Sequence, residues 1–352
     1  MITGNIEGIT DSTVIDLYLM MNDIGKRVDV DTIINGNFKF SAALENKPAR
    51  MSLKMRDMEN YFGRCDLWVE EGNIEITGKG RYLSSWIVHS EVKEQKALNK
   101  LINETRDYRV MMDSLFLLRY THRKDRKYSG QILNTIDSIA RVQRKIEFEI
   151  IEDDPNSISS MKALYQIAKY DTSISKDRIK KVFGKLNPEY KNSLLAEGIA
   201  STFEERIIPK IGDDMVNFTA YDTAGIKYLL TDFKDKFILL DFWSYACGPC
   251  ILANPETKEL HSKYSELVTI VGVNMDTNEK QWKEALKKDS ITWTNISDGK
   301  GTYSGISSDY GIRGFPTYVL INPEGVIIDK WMGYWKGGLV QKLSNHIDGI
   351  KK

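Results

Sequence analysis

Residues 237 to 250, Phe-Ile-Leu-Leu-Asp-Phe-Trp-Ser-Tyr-Ala-Cys-Gly-Pro-Cys, leave this chain few folds to choose from. The first seven make a short, β-rich apolar run, which fits a central parallel strand buried on both faces. Asp241 interrupts it. A carboxylate in the middle of a buried strand loses its hydration, so it is rarely there without a partner or a task. Cys247-Gly248-Pro249-Cys250 follows, where a helix should begin. Two cysteines three apart on a first helical turn lie on one face, close enough for a small disulfide ring. The helix N-terminus presents free N–H groups and partial positive charge, which favours the thiolate of Cys247.

This pattern reads as a dithiol–disulfide exchange site, against two other readings. A zinc knuckle needs a second Cys or Cys/His pair at ligand spacing. The remaining cysteine is Cys65, and His89, His122, His261 and His346 are scattered, so no metal site is expected. A purely structural disulfide would close too short a loop to stabilise much.

At 352 residues the chain is long enough for two or three domains. Lysine plus arginine (49) balances aspartate plus glutamate (49), so net charge gives no argument for nucleic acid or an anionic membrane. No apolar stretch is long enough to span a bilayer. Met1 leads straight into what reads as a strand, so the expectation is either a cytosolic protein or a mature form whose export signal was removed.

Residues 1–91 read as a small all-β sandwich or barrel domain. Val14–Met20, Arg27–Ile34, Asn37–Leu44, Arg50–Met55, Cys65–Val69 and Ile74–Thr77 are the expected strands, with Asn35-Gly36 supplying a tight hairpin turn. Cys65 shares a strand face with Leu67 and Val69 and reads as a buried small hydrophobe. Residues 92–208 switch to a helical period. Leu98, Leu101, Ile102, Tyr108, Met112 and Leu115 make one stripe, and Ile132, Ile136, Ile139, Ile146 and Ile150 another. An antiparallel helical hairpin turning near Ser129-Gly130 is expected, with a solvated basic cluster (Arg119, Arg123, Lys124, Arg126, Lys127) at its tip. A third helix should run from the Ser157 region to about Tyr170, with shorter pieces over 175–186 and 189–207.

Residues 209–352 read as an α/β domain. After the central strand and the helix at Cys247 come a second buried strand, Val268–Met275, and a helix capped within Asp276-Thr277-Asn278. A hairpin of Thr317–Ile321 and Val326–Trp331 and a last helix, Leu339–Ile350, complete it.

Two separated motifs in this part resemble the thioredoxin fold: Asp241-Phe242-Trp243 before Cys-Gly-Pro-Cys, and Tyr310-Gly-Ile-Arg-Gly-Phe-Pro-Thr317. The lead-in (Ile211-Gly212, Asn217-Phe218-Thr219, Leu230-Thr-Asp-Phe233, Lys236) and the helix-bearing insertion between Met275 and Gly311 are similar to the TlpA/ResA branch of bacterial thiol-disulfide oxidoreductases. The upstream part resembles, more loosely, the β domain of unassigned function that precedes such modules. The resemblance implies roles at the matching positions. Cys247 would be the exposed attacking thiolate, Cys250 the buried resolving thiol, and Asp241, beneath Cys250, its proton partner. Pro316 would be cis and face the disulfide, the Phe315 backbone would pair with an extended substrate, and Trp243, Gly248 and Pro249 would form the contact surface. No cofactor beyond the cysteine pair is implied.

Three positions depart from the family pattern. Ala246 stands where tryptophan is usual, Ala253 where ResA-like members carry a glutamate, and Gly272 where thioredoxins have a lysine beside the buried aspartate. Without that cation, desolvation should raise the pKa of Asp241. The Gly-Pro dipeptide adds little positive charge to stabilise a Cys247 thiolate, which points to a reducing couple. The expectation is a reductase of protein disulfides in the periplasm or cell envelope, taking electrons from a membrane-bound thiol donor. The alternatives are a disulfide oxidase or isomerase, and a binding or assembly protein with an accessory redox module. A homo-oligomer formed through the N-terminal region is an open option.

Overall fold

A computed structural model describes residues 1–21, 24–41, 48–57 and 62–351. The chain separates into two compact units, Met1–Ile199 and Ala200–Lys352.

Among the described residues the first unit begins with eight strands: β1 (Ile2–Glu7), β2 (Thr13–Met21), β3 (Ile24–Ile33), β4 (Asn37–Phe40), β5 (Ala49–Met55), β6 (Cys65–Val69), β7 (Ile74–Lys79) and β8 (Ile87–His89). They form two four-stranded sheets, β4-β1-β7-β8 and β3-β2-β5-β6. Alternating residues of both, among them Ile2, Ile6, Leu17, Phe40, Leu53, Leu67 and Ile76, meet in one core, as a sandwich requires. Asn35 and Gly36 both have positive φ, the tight turn expected between β3 and β4. Leu44, placed in a strand from the sequence, lies outside the described residues. Cys65 is buried, and burial pushes its thiol far up.

Six helices follow: α1 (Lys93–Thr121), α2 (Arg126–Asp153), α3 (Ile158–Tyr170), α4 (Lys176–Gly184), α5 (Pro188–Lys191) and α6 (Leu194–Ser201). The α1–α2 turn falls at residues 122–125, within the expected basic tip and a few residues before Ser129-Gly130. The Asp125 carboxylate accepts the Tyr128 N–H at 3.0 Å and caps α2 there. Gly130 is thereby carried into the helix, at a cost of about 1 kcal/mol.

The second unit contains β9 (Thr219–Tyr221), β10 (Lys227–Leu229), β11 (Phe237–Trp243), α7 (Gly248–Tyr264), β12 (Val268–Asn274), α8 (Glu279–Lys288), β13 (Thr294–Ile296), α9 (Ile306–Asp309), β14 (Thr317–Ile321), β15 (Ile327–Met332) and α10 (Gly338–Ser344). Its main sheet has the order β13-β12-β11-β14-β15. β11 and β12 are parallel, as are β12 and β13, while β14 and β15 add antiparallel. α10 is shorter than expected, because its end tightens into three-residue bonds, Asn345 N–H to the Lys342 carbonyl and His346 N–H to the Leu343 carbonyl.

β11 is central, and Ile238 through Trp243 are all buried. Its side chains alternate between two cores. Ile238, Leu240 and Phe242 pack with Val271, Tyr310 and Val319 on one face. Leu239 packs with Leu260 of α7 and Leu343 of α10 on the other.

Candidate active site

Cys247 is the N-cap of α7 and Gly248-Pro249 fill its first two positions, where a proline lacks only an N–H that the helix leaves unpaired anyway. The cysteines are joined by a disulfide, with Cα atoms 5.2 Å apart. The Cys250 N–H donates to Cys247 Sγ at 3.1 Å, so a reduced Cys247 has a charge-stabilising donor already aimed at its sulfur.

Cys247 was expected to be exposed, but in this oxidised state it is only 8% exposed and Cys250 5%. The pair packs in a cluster with Trp243 from β11 and Trp282 and Ala285 from α8, with Tyr245 and Phe315 against it. The aromatic walls and the bond itself cover the sulfur. Ala246, Gly248 and Pro249 remain exposed at the rim.

Asp241 lies one step before Trp243 on the same strand face, between the cluster that holds the cysteines and the one that holds Leu260 of α7. That places it beneath the helix that carries Cys250. It is 5% exposed, and its Oδ1 has no hydrogen-bond partner. Desolvation alone pushes its carboxyl up to about 7, with no neighbouring cation acting on it. The absence of a lysine has a structural counterpart. Gly272 is the β12 partner of Asp241, and Asn295 on β13 is the partner of Gly272. A Cβ on Gly272 would collide with the Asn295 amide. Asn295 occupies that space and accepts the Trp243 indole N–H at 2.8 Å, while its own amide donates to the Trp293 carbonyl at 2.9 Å.

The Phe315–Pro316 peptide is cis, and Pro316 is buried. The Pro316 carbonyl accepts the Gly333 N–H at 2.8 Å. The Phe315 backbone N–H and C=O have no hydrogen-bond partner among the described residues, and its ring packs against the cysteine cluster. The loop thus offers one free donor and one free acceptor beside the disulfide.

Two supporting residues have roles the sequence does not show. The cap expected within Asp276-Thr277-Asn278 is made by Asn278. The buried Asp276 carboxylate instead accepts the Tyr245 N–H at 2.8 Å and the Asn274 amide at 2.7 Å, holding the turn that leads into Cys247. Its position two residues past the mostly buried β12 was the available signal. Asn295 sits in a three-residue strand too short to be read from periodicity.

A parallel-centred sheet with a disulfide at the mouth of a helix and a cis-proline loop beside it defines a thioredoxin-like class of protein. The family described as thioredoxin-like matches residues 235–327, and a domain of unknown function (DUF4369) matches residues 1–96. The chain is 31% identical to the thioredoxin-like protein YneN of Bacillus subtilis, over 38% of this chain and 78% of that one. It is 33% identical to the thiol-disulfide oxidoreductase ResA of Bacillus cereus, over 37% of this chain and 75% of that one. Among solved structures, the thioredoxin domain of a thiol-disulfide oxidoreductase from Bacteroides vulgatus is 28% identical, covering 40% of this chain and 99% of that one, with a TM-score of 0.37. The chain belongs to the ResA-like thiol-disulfide oxidoreductases of the thioredoxin fold. It is an enzyme of dithiol–disulfide exchange.

Proposed function

We propose that this oxidoreductase works as a reductase of protein disulfides in the bacterial cell envelope, with Cys247 as the attacking thiolate and Cys250 as the resolving thiol. The observation that carries the reading is the buried, cation-free Asp241 carboxyl on the strand face below the Cys250 helix. A carboxyl poised near neutrality in that place can accept the Cys250 proton as that thiol turns into an attacking thiolate. Cys247 first attacks a substrate cystine and forms a mixed disulfide. Cys250 then attacks Cys247 Sγ, closes the internal disulfide and releases the reduced substrate. The electrons travel on the two sulfurs, without a further cofactor. Phe315 pairs its free backbone groups with an extended substrate segment, Pro316 and Trp243 wall the approach, and Gly248 and Pro249 form its open rim.

The Gly-Pro dipeptide supports the reducing direction, since it brings no charge to stabilise the Cys247 thiolate. Resemblance to the TlpA/ResA branch supports the envelope and a membrane-bound thiol donor; among the described residues no helix is long and apolar enough to cross a membrane. The test is trapping with Cys250→Ser, which stalls the mixed disulfide, together with the reduction potential. Exported proteins on the trap and a potential near thioredoxin's roughly −270 mV are expected. Cytosolic partners would remove the envelope assignment, and a potential near that of protein disulfide isomerase, roughly −180 mV, would make it an oxidase or isomerase.

A further inference from the structure

Tyr318 takes no part in the steps above, yet the sheet places it against the buried acid. It is 0% exposed and stands opposite Asp241 in the antiparallel β11–β14 register, so the two side chains share a face. Its ring stacks on Trp331 at 5.1 Å between centroids. Its hydroxyl has no hydrogen-bond partner, and neither has Asp241 Oδ1. Buried hydroxyls and carboxyls are nearly always bonded, and side chains directly opposite one another start from Cβ atoms about 5 Å apart. The structure leaves both oxygens unbonded on one face of that pair, one able to donate and the other to accept.

We propose that Tyr318 is a positioning residue for the buried acid: when Asp241 ionises, the Tyr318 hydroxyl donates to its carboxylate, directly or through one water. This rests on the acid–base reading of Asp241 given above. The other groups around the pair are committed elsewhere. The Glu256 carboxylate on α7 accepts the Gly337 and Val340 N–H groups at 3.0 Å each, and Tyr334, beyond β15, bonds to that same carboxylate. Asp329 on β15 is tied to Lys342 of α10 and to His346 just beyond it. β12 contributes only Gly272, and the Asn295 amide of β13 is engaged with Trp243 and Trp293. Cys250 on α7 is the reacting group itself. Burial first, and then the charges of Asp241, Glu256 and Tyr334, push the Tyr318 hydroxyl up, so it stays protonated and able to donate.

In the resolving step the Cys250 proton moves to the Asp241 carboxylate, and the Cys250 thiolate attacks Cys247 Sγ. The Cys247–Cys250 bond forms and the Cys247–substrate bond breaks. The substrate cysteine leaves as a thiolate and takes a proton from water, so the substrate gains two electrons and the protein pair loses them. Tyr318 touches none of the reacting sulfurs. Its donation favours the charged carboxylate, and so sets the pH above which the proton acceptor exists.

The experiment is stopped-flow reaction of the reduced full chain with the aromatic disulfide of thionitrobenzoate. The first release of thionitrobenzoate reports attack by Cys247 and serves as internal reference; the second reports resolution by Cys250. Tyr318→Phe keeps the ring and its stacking and removes the donor. Its second phase is expected to shift to higher pH by about one unit, a roughly tenfold slower resolution on the acid side. A tyrosine fluorinated beside the hydroxyl, installed at position 318, is a stronger donor and is expected to shift the same profile to lower pH, which keeps the test open if the phenylalanine variant folds poorly. Wild-type second-phase profiles in both, with Asp241→Asn altering that profile, overturn the role of Tyr318 alone. A wild-type profile in Asp241→Asn removes the acid–base reading and this inference with it.

Discussion

Asp241 is ordinary in sequence and costly in place. Burial raises its folded-state pKa to about 7, above the ordinary 3.8, so between those values the folded state holds a proton that the unfolded state has lost. Stability therefore falls as pH rises through that window, by on the order of 4 kcal/mol if the whole shift is expressed. Asp241→Asn should stabilise the protein above the window and leave stability nearly unchanged below it; denaturant unfolding at the two ends measures this, and an equal effect at both would show that the carboxyl is not desolvated. Asn295→Ala should cost about 1–3 kcal/mol, because it strands the buried Trp243 N–H, and should change tryptophan fluorescence beside the disulfide. Of these residues the burial of Asp241 was legible, since a lone acid in a seven-residue apolar run stands out, although a hydrogen-bonded structural acid would read the same way. Asn295 and Tyr318 were not. Their meaning comes from register across β13, β12, β11 and β14, and register depends on pairing partners far away in the chain.

Among the elements, those with strong local signals are the ones sequence reading places well: β11 with its unbroken apolar run, α7 with Gly-Pro after its cap, and the β14–β15 hairpin. The three-residue strands β8 and β13 went unseen because so short a segment shows no period. The α1–α2 turn sits at the basic tip rather than at the Ser-Gly pair itself, because the Asp125 cap starts α2 ahead of it. β12 offers a sharper test. Lysine at position 272, the thioredoxin residue, would have to share space with the Asn295 amide. Gly272→Lys should destabilise by about 1–3 kcal/mol through overpacking, and Gly272→Lys with Asn295→Ala should recover part of that loss. Urea midpoints decide it; equal losses in the single and double variants would mean the two positions do not compete for the same space.

At the scale of the whole molecule, each principal core is built from residues of one unit: the sandwich core from the first, and the two sheet cores and the cysteine cluster from the second. Residues 200–352 should therefore fold when expressed alone, with the disulfide reducible and the first exchange phase intact. Circular dichroism and the thionitrobenzoate reaction check this, and an unfolded fragment would show that the second unit depends on the first.

The most direct measurement is the pH dependence of the resolving phase in the full chain and in Asp241→Asn. The expected result is a wild-type rate that climbs with pH through about 7, where the buried carboxyl loses its proton, and an asparagine variant that is slower and lacks that step. The same step in both proteins would contradict the claim that Asp241 takes the Cys250 proton.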